Sequence, residues 1–337
     1  MLKRAKKDIC FMDCRQPFFG TKGEGQKTKR SIMKRIKMSV LVLVIVPQLL
    51  SPILSFATMN DPRDPWPAPD GSKIFLYYQR FISADSFYKN GTKLDGNADL
   101  DFTFGLARYV QFWGLGDDWT LEDGWTFSAD IIQVFGQLDL ESNILGIDAQ
   151  SNAIGDTTLG LHIDFPCLIN TNKVQYRISP SIFITAPTGD YDNDDAVNIA
   201  ENMWAVEFEF YPMMLHFGKT YIEIAASAKF FSDNDDYSPA SVTLERDPEY
   251  LVQGHISYDI TDSGSFWVGT SYYFKKGNEN EADGVNLDNE TETQIIRFTA
   301  AMQLSPQTLL SIQYQTDLEV ENGTKENFIG ARIAYLF

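Results

Sequence analysis

The 337-residue chain predicts an all-β fold, a transmembrane antiparallel β-barrel of about 12 strands and of the outer-membrane type. Three observations carry that expectation. A basic and then apolar leader opens the chain, apolar and polar residues alternate in segments of about ten from residue 72 to the end, and the connections between segments take turns at being short and long.

The leader comes first. Of 28 Lys and Arg residues, 12 lie at or before Lys37, with only three of the 46 acids, Asp8, Asp13 and Glu24. Met38–Leu54, MSVLVLVIVPQLLSPIL, then carries no charge, and Ser55-Phe56-Ala57 offers small residues where a signal peptidase cuts. An apolar run of this length also just suffices for a membrane anchor, but Pro47 and Pro52 interrupt it. Residues 1–57 therefore read as a basic leader and cleaved secretory signal peptide. Met33 opens MKRIKM, an ordinary basic start, which makes residues 1–32 a candidate misassigned start. Cys10 and Cys14 precede the cut and leave Cys167 alone, so no disulfide and no cysteine metal site is expected.

From Thr58 onward 16 basic residues face 43 acidic ones, a net charge of −27. Such a body repels phosphate backbones and excludes nucleic acid as a partner. Residues 58–71, TMNDPRDPWPAPDG, are Pro-rich and are expected to form an extended, poorly ordered lead-in. Residues 72–337 are the barrel.

The alternation there has the period of a strand. Leu100, Phe102, Phe104 and Leu106 alternate with Asp99, Asp101 and Thr103; Leu159, Leu161 and Ile163 with Thr158, His162 and Asp164; Val206, Phe208 and Phe210 with Glu207 and Glu209; Ile329, Ala331 and Ile333 with Gly330 and Arg332. A soluble sandwich alternates too, so the connections decide. Short ones fall near 170–173, 217–220, 261–265 and 304–307; longer ones fall at 83–97, 137–154, 187–202, 232–248 and 276–291, the asymmetry of periplasmic turns and outer loops. Aromatics near strand ends, including Tyr109, Phe112, Trp113, Phe217, Tyr221, Phe266, Trp267, Tyr335 and Phe337, suit interfacial girdles. The terminal Phe337 resembles the signal read by the bacterial outer-membrane assembly machinery, which is an expected partner along with outer-membrane lipid.

On this reading every apolar strand face meets lipid and every polar face meets the lumen. The lumen-lining candidates are Asp99, Asp101, His162, Asp164, Arg177, Glu207, Glu209, Glu223, Lys229, His255, Asp259, Arg297 and Arg332. Their mixed signs predict salt bridges across a narrow interior nearly filled by its own side chains, and so a slim conduit or a lateral route in place of a wide pore. His255 and Ser257 share a polar face but follow one another along the strand, away from lipid, so no acyl-transfer site and no enzyme is expected.

Thr188–Glu201, TGDYDNDDAVNIAE, places acids at the first, third, fifth and twelfth positions of a calcium-loop pattern. The sixth position is Asp195 where an EF-hand needs Gly, and strands replace the flanking helices. No cofactor is expected beyond a loosely held surface Ca²⁺ at Asp190, Asp192 and Asp194. The same stretch, with Gly155-Asp156 upstream, Pro187 to Tyr191 at a rim and Asn202-Met203-Trp204 opening the next strand, resembles the outer-membrane family of the meta-pathway of phenol degradation. That resemblance spans most of residues 72–337. It implies an outer-membrane barrel associated with uptake of aromatic or other apolar compounds, and it brings no catalytic residues. The expected protein is a monomeric Gram-negative outer-membrane barrel that passively takes up small hydrophobic or aromatic compounds. The alternative is a structural or surface-binding barrel with no open pore.

Overall fold

β-branched and aromatic residues at every second position favour pleated chain, and the computed structural model is all-β over the residues it describes, 59–337 except Asn97, Asp117, Asp118, Glu122, Leu145 and Asn172. The leader expected over residues 1–57 lies outside these residues. Twelve long strands form the barrel wall: β1 (Lys73–Lys89), β2 (Ala98–Leu115), β3 (Trp125–Ser142), β4 (Ile147–Asp164), β5 (Val174–Ala186), β6 (Ala205–Phe217), β7 (Thr220–Phe231), β8 (Glu249–Asp259), β9 (Phe266–Gly277), β10 (Thr291–Ser305), β11 (Thr308–Val320) and β12 (Gly323–Leu336); the two-residue strands Thr92–Lys93 and Ile169–Asn170 add to its rims. Each of the twelve pairs antiparallel with its sequence neighbours, and β12 returns to β1 from Ile74↔Leu336 to Tyr88↔Gly323. The cylinder is closed, so no open sheet edge faces lipid.

The wall is uneven. β1 to β4 have 17 or 18 residues, while β5 to β9 have 11 to 13. At about 3.3 Å per residue and about 40° of tilt, 18 residues climb roughly 45 Å, against an apolar band of roughly 25 Å. The first four strands therefore stand well clear of the hydrocarbon at the outer rim. Residues 83–97 and 137–154 were expected as loops; most of them are strand, and the connections shrink to 90–97 and 143–146. In this extension the outward row runs Ser83, Asp101, Asp139, Gln150, all polar, while Ile82, Leu100, Phe102, Leu138 and Leu140 pack inward. Asp99 and Asp101 thus face outward, opposite to the expected lumen face, because their apolar neighbours fill the interior at a height where water, not lipid, bathes the outer surface.

Lower down the polarity is the expected one. Ile163, Phe208, Ile256, Phe298, Ile312 and Ile329 are exposed on the outside, while acids, arginines and amides occupy the inside. Trp113 stacks on Phe127, Trp125 leans on Phe165 and Tyr335 on Phe337 along the short-turn rim, a girdle at the interface. Phe112, Tyr221 and Trp267 do not join it; they point into the lumen. Cys167 is half-buried.

Two features close the outer mouth. The connection 187–204 folds inward and buries Val197 and Ile199 in the apolar core of the extension. Its two ends are held by one side chain: the Asp156 carboxylate accepts from Gly189 N at 3.0 Å and from Glu201 N at 2.9 Å. A Cβ on Gly189 would come within 2.6 Å of the Gly155 backbone and of Ala200, so only glycine permits this approach. Gly155 and Asp156 lie where the β3–β4 register shifts, and the shift re-aims β4 at the step between belt and extension. Beside this lid, Asn234–Tyr237, Val242–Arg246, Asn280–Ala282 and Val285–Asn286 build a small four-stranded sheet around Tyr237, Leu244, Ala282 and Met203.

Candidate functional site

The lead-in departs most from expectation. Residues 59–66 are not an unanchored approach to β1; they lie inside the barrel, with Met59, Asn60 and Asp61 buried. A short charged segment can enter a lumen only if the wall supplies partners for its polar groups, and here the wall does so on both sides. Asp61 pairs with Arg297 of β10 at 2.6 Å and Arg332 of β12 at 3.1 Å. Asp64 pairs with Arg332 and lies 4.0 Å from Arg108 of β2. On the opposite wall Asn60 donates to both Glu209 oxygens at 3.0 and 2.6 Å, Trp66 Nε1 to Glu223 at 2.8 Å, and Arg63 to Asp259 at 2.8 Å and Ser257 at 2.9 Å. Tyr273 Oη donates to the Asn60 carbonyl at 2.7 Å, and the Arg63 guanidinium sits 4.0 Å over Tyr221 and 4.5 Å over Trp267.

Around the plug the lumen is therefore divided across its width. Arginines from β1, β2, β10 and β12 (Arg80, Arg108, Arg297, Arg332) form one wall, and acids from β6, β7 and β8 (Glu207, Glu209, Glu223, Asp259) the other. The segment 59–66 presents acids to the first and donors to the second, as a plug matched to the transverse field. Burial raises the Asp61 carboxyl, but the guanidiniums of Arg332, Arg297 and Arg80 outweigh burial and hold it at about 2, below the ordinary 3.8.

Of the residues expected in the lumen, Asp164, Arg177, Glu207, Glu209, Glu223, Lys229, His255, Asp259, Arg297 and Arg332 are buried and inward, and His162 is inward and half-buried; Asp99 and Asp101 are not among them. Glu209, Glu223, Asp259, Arg297 and Arg332 meet at the plug. Arg80, Arg108, Asp130 and the whole plug were missed. Arg80 and Arg108 sit on strand faces that otherwise carry Leu76, Tyr78, Leu106 and Val110, and an arginine breaking an apolar face was the available signal. Nothing in residues 59–66 marks them as internal.

Below the plug, at the short-turn rim, a cavity of about 200 Å³ is lined by Trp66, Arg108, His162, Ser181, Tyr211 and Arg332 among others. Here His162 Nδ1 lies 2.8 Å from Ser181 Oγ and Nε2 lies 3.4 Å from Asp130, whose carboxylate is also bound by Arg108. His255, in turn, meets Ser271 at 2.8 Å and not Ser257. A wider concavity, about 740 Å³, lies on the outer wall between Ile256, Thr270, Phe298, Ala300 and Tyr314, where acyl chains run. Among the described residues no group of three or more His, Cys, Asp or Glu side chains is placed to hold a metal. Asp190 accepts from Ile154 N of β4 at 3.3 Å and Asp192 from Asp194 N at 2.9 Å, so the first carboxylate ties the lid to the wall and the second closes a turn within the lid.

With this geometry the chain can be set beside known proteins. Residues 84–333 match the profile of the family described as "Putative MetA-pathway of phenol degradation". The chain belongs to this family. Within the solved structures, the phenol-degradation family member is similar to an outer membrane channel from Pseudomonas putida F1, with 28% identity, TM-score 0.76, and coverage of 83% of this chain and 100% of that one. It is also similar, at the level of a barrel alone, to the transport unit of the autotransporter AIDA-I from Escherichia coli (6% identity, TM-score 0.49, 87% of this chain and 97% of that one) and the translocator domain of the autotransporter NalP from Neisseria meningitidis (7%, 0.43, 92% and 97%). No curated protein matches the chain. The family member is thus an outer-membrane barrel of the channel type, and its glycine-aspartate and Pro-Thr-Gly-Asp-Tyr words are the two halves of the lid anchor at Asp156 and Gly189.

Proposed function

We propose that the barrel carries small hydrophobic, including aromatic, compounds passively across the outer membrane, with the plug and the lid as its two closures. The observation that supports this reading is the content of the outer half of the lumen. Leu100, Phe102, Phe104, Leu138, Leu140 and Phe328 give it an apolar wall, and Val197 and Ile199 of the lid fill it as a solute would. A water-filled polar pore has no use for that lining; a route for apolar solutes does. The solute partitions beneath the lid, displaces the plug from the charged constriction and leaves to the periplasm without energy coupling.

A cleaved leader fits this arrangement. Removal after Ala57 leaves Thr58 as the chain start, one residue before Met59 in the lumen, and the mass of the mature chain tests it. Assembly through the terminal Phe337 belongs to the same reading. A second reading, a barrel with no through-path, draws on the filling at the depth of Asp61, where Asp61, Arg297, Gln313 and Gln315 are each no more than 2% exposed. Uptake of labelled aromatic solutes, neutral and carboxylate-bearing, by a deletion strain, with and without the restored protein, separates the two. Equal uptake in both strains removes the transport reading.

A further inference from the structure

Arg297 and Arg332 project into the lumen from β10 and β12, and every ion pair they make among the described residues is to the plug. From the wall Arg297 meets the neutral Gln315, which accepts from Nε at 3.0 Å and Nη2 at 2.8 Å. The Asp61 carboxylate gives one oxygen to each guanidinium and is 1% exposed. Arg80 brings a third positive charge to it. Aromatic rings floor the basket: Tyr273 and Phe328 lie 4.7 and 5.2 Å from the Arg297 guanidinium carbon, and Phe328, Tyr78 and Phe104 lie 5.0, 5.4 and 5.7 Å from that of Arg80. One inward rung further out, Ile82 and Phe102 begin the apolar wall.

We infer that the basket of Arg80, Arg297 and Arg332 is a binding site for organic monocarboxylates with an apolar, ring-sized body, and that Asp61 occupies it as a tethered stand-in. The inference rests on the uptake reading and names its preferred solute. If the plug left, Arg297 would lose Asp61 and Arg332 both Asp61 and Asp64, and buried guanidiniums stripped of their carboxylates are strongly disfavoured, so the plug cannot leave without a replacement anion. A solute with its own carboxylate exchanges for Asp61, keeps both guanidiniums paired with one oxygen to each as Asp61 does, and lays its body on the rings and apolar wall. A neutral ring of the same size provides no such exchange.

The test uses the full mature chain in detergent micelles, with benzoate, benzyl alcohol and acetate as calorimetric probes. Asp61→Asn is expected to bind benzoate at least about tenfold tighter than the parent, a gain of about one decade in Kd. Benzyl alcohol should bind both alike, acetate should stay weaker than benzoate, and Arg297→Gln added to Asp61→Asn should abolish the gain. A folded Asp61→Asn protein with no gain, an equal gain for benzyl alcohol, or acetate binding as tightly as benzoate would each overturn the assignment. Heat-modifiable gel migration establishes folding. If Asp61→Asn does not fold, hydrogen exchange of the plug peptide in the unaltered protein decides: benzoate should accelerate it and benzyl alcohol should not, and the absence of that difference overturns the site. Benzoate uptake by a deletion strain, with and without the restored protein, tests the transport reading separately, because its failure with benzoate-selective binding intact removes transport and leaves the site standing.

Discussion

The lower belt of the barrel and the tall extension of β1 to β4 share one period and obey opposite rules. β3 shows both within a single strand and without changing which positions point inward. Near the short-turn rim Trp125, Phe127 and Ile131 face out while Ser128 and Asp130 face in; beyond Gly136, Gln137, Asp139 and Glu141 face out while Leu138 and Leu140 face in. The sheet is the same, and the outer solvent has changed from lipid to water. Alternation therefore reports which residues share a face, and the identity of the solvent must come from elsewhere.

The largest expected effect sharpens this contrast. Phe102→Ala opens a cavity in the packed interior of the extension and should cost about 3–5 kcal/mol in denaturant unfolding of the barrel. Phe208→Ala removes the same side chain from the lipid face, where acyl chains flow into the gap, and should cost clearly less. Equal losses would mean that the two regions do not differ in what surrounds them. A charge scan comes next in size. Ile256→Lys places an ammonium in hydrocarbon and should cost about 2–4 kcal/mol if near the midplane, whereas Asp101→Lys on the outward row of the extension should stay within about 0.5 kcal/mol. A large penalty at Asp101 would put that row in lipid and break the comparison.

Much of this was legible in sequence and some was not, for physical reasons. Strand count, closure and the inward side of Glu207, Glu209, Glu223, His255, Asp259, Arg297 and Arg332 follow from period and connection length, because in the belt every charged face has only the lumen to face. Asp99 and Asp101 were misassigned since the same pattern above the membrane has the opposite meaning. The plug was hidden because Asn60, Asp61, Arg63 and Trp66 are ordinary residues of a Pro-rich segment, and only partners distant in sequence, such as Arg332, make them internal.

The plug also separates the two regions by pH. Asp61 is held at about 2 against an ordinary 3.8, a depressed value, so its contribution is fully present above pH 3.8 and is lost as pH falls toward 2. At about 1.4 kcal/mol per unit this is roughly 2 kcal/mol. The stability difference between the parent and Asp61→Asn should accordingly be largest at pH 5 and shrink by about that amount by pH 2, measured by unfolding at each pH. A difference that does not change with pH would mean that the Asp61 carboxylate is not paired as the structure places it.

The smallest effect belongs to the joint between the regions. Asp156 satisfies two backbone amides that bracket the lid, and each such bond is worth about 1–3 kcal/mol when its loss strands a partner. Asp156→Ala leaves Gly189 N and Glu201 N without that acceptor, yet removes no contact from the closed ladder of strands. The expected outcome is local: faster hydrogen exchange and readier proteolysis across 187–204, with the unfolding midpoint of the barrel shifted little. The apolar pair Val197 and Ile199 would still be drawn inward, so the lid should loosen and not detach. If the whole barrel falls with Asp156, the lid is part of the cooperative unit and cannot open alone. Solutes would then need a path that leaves it shut.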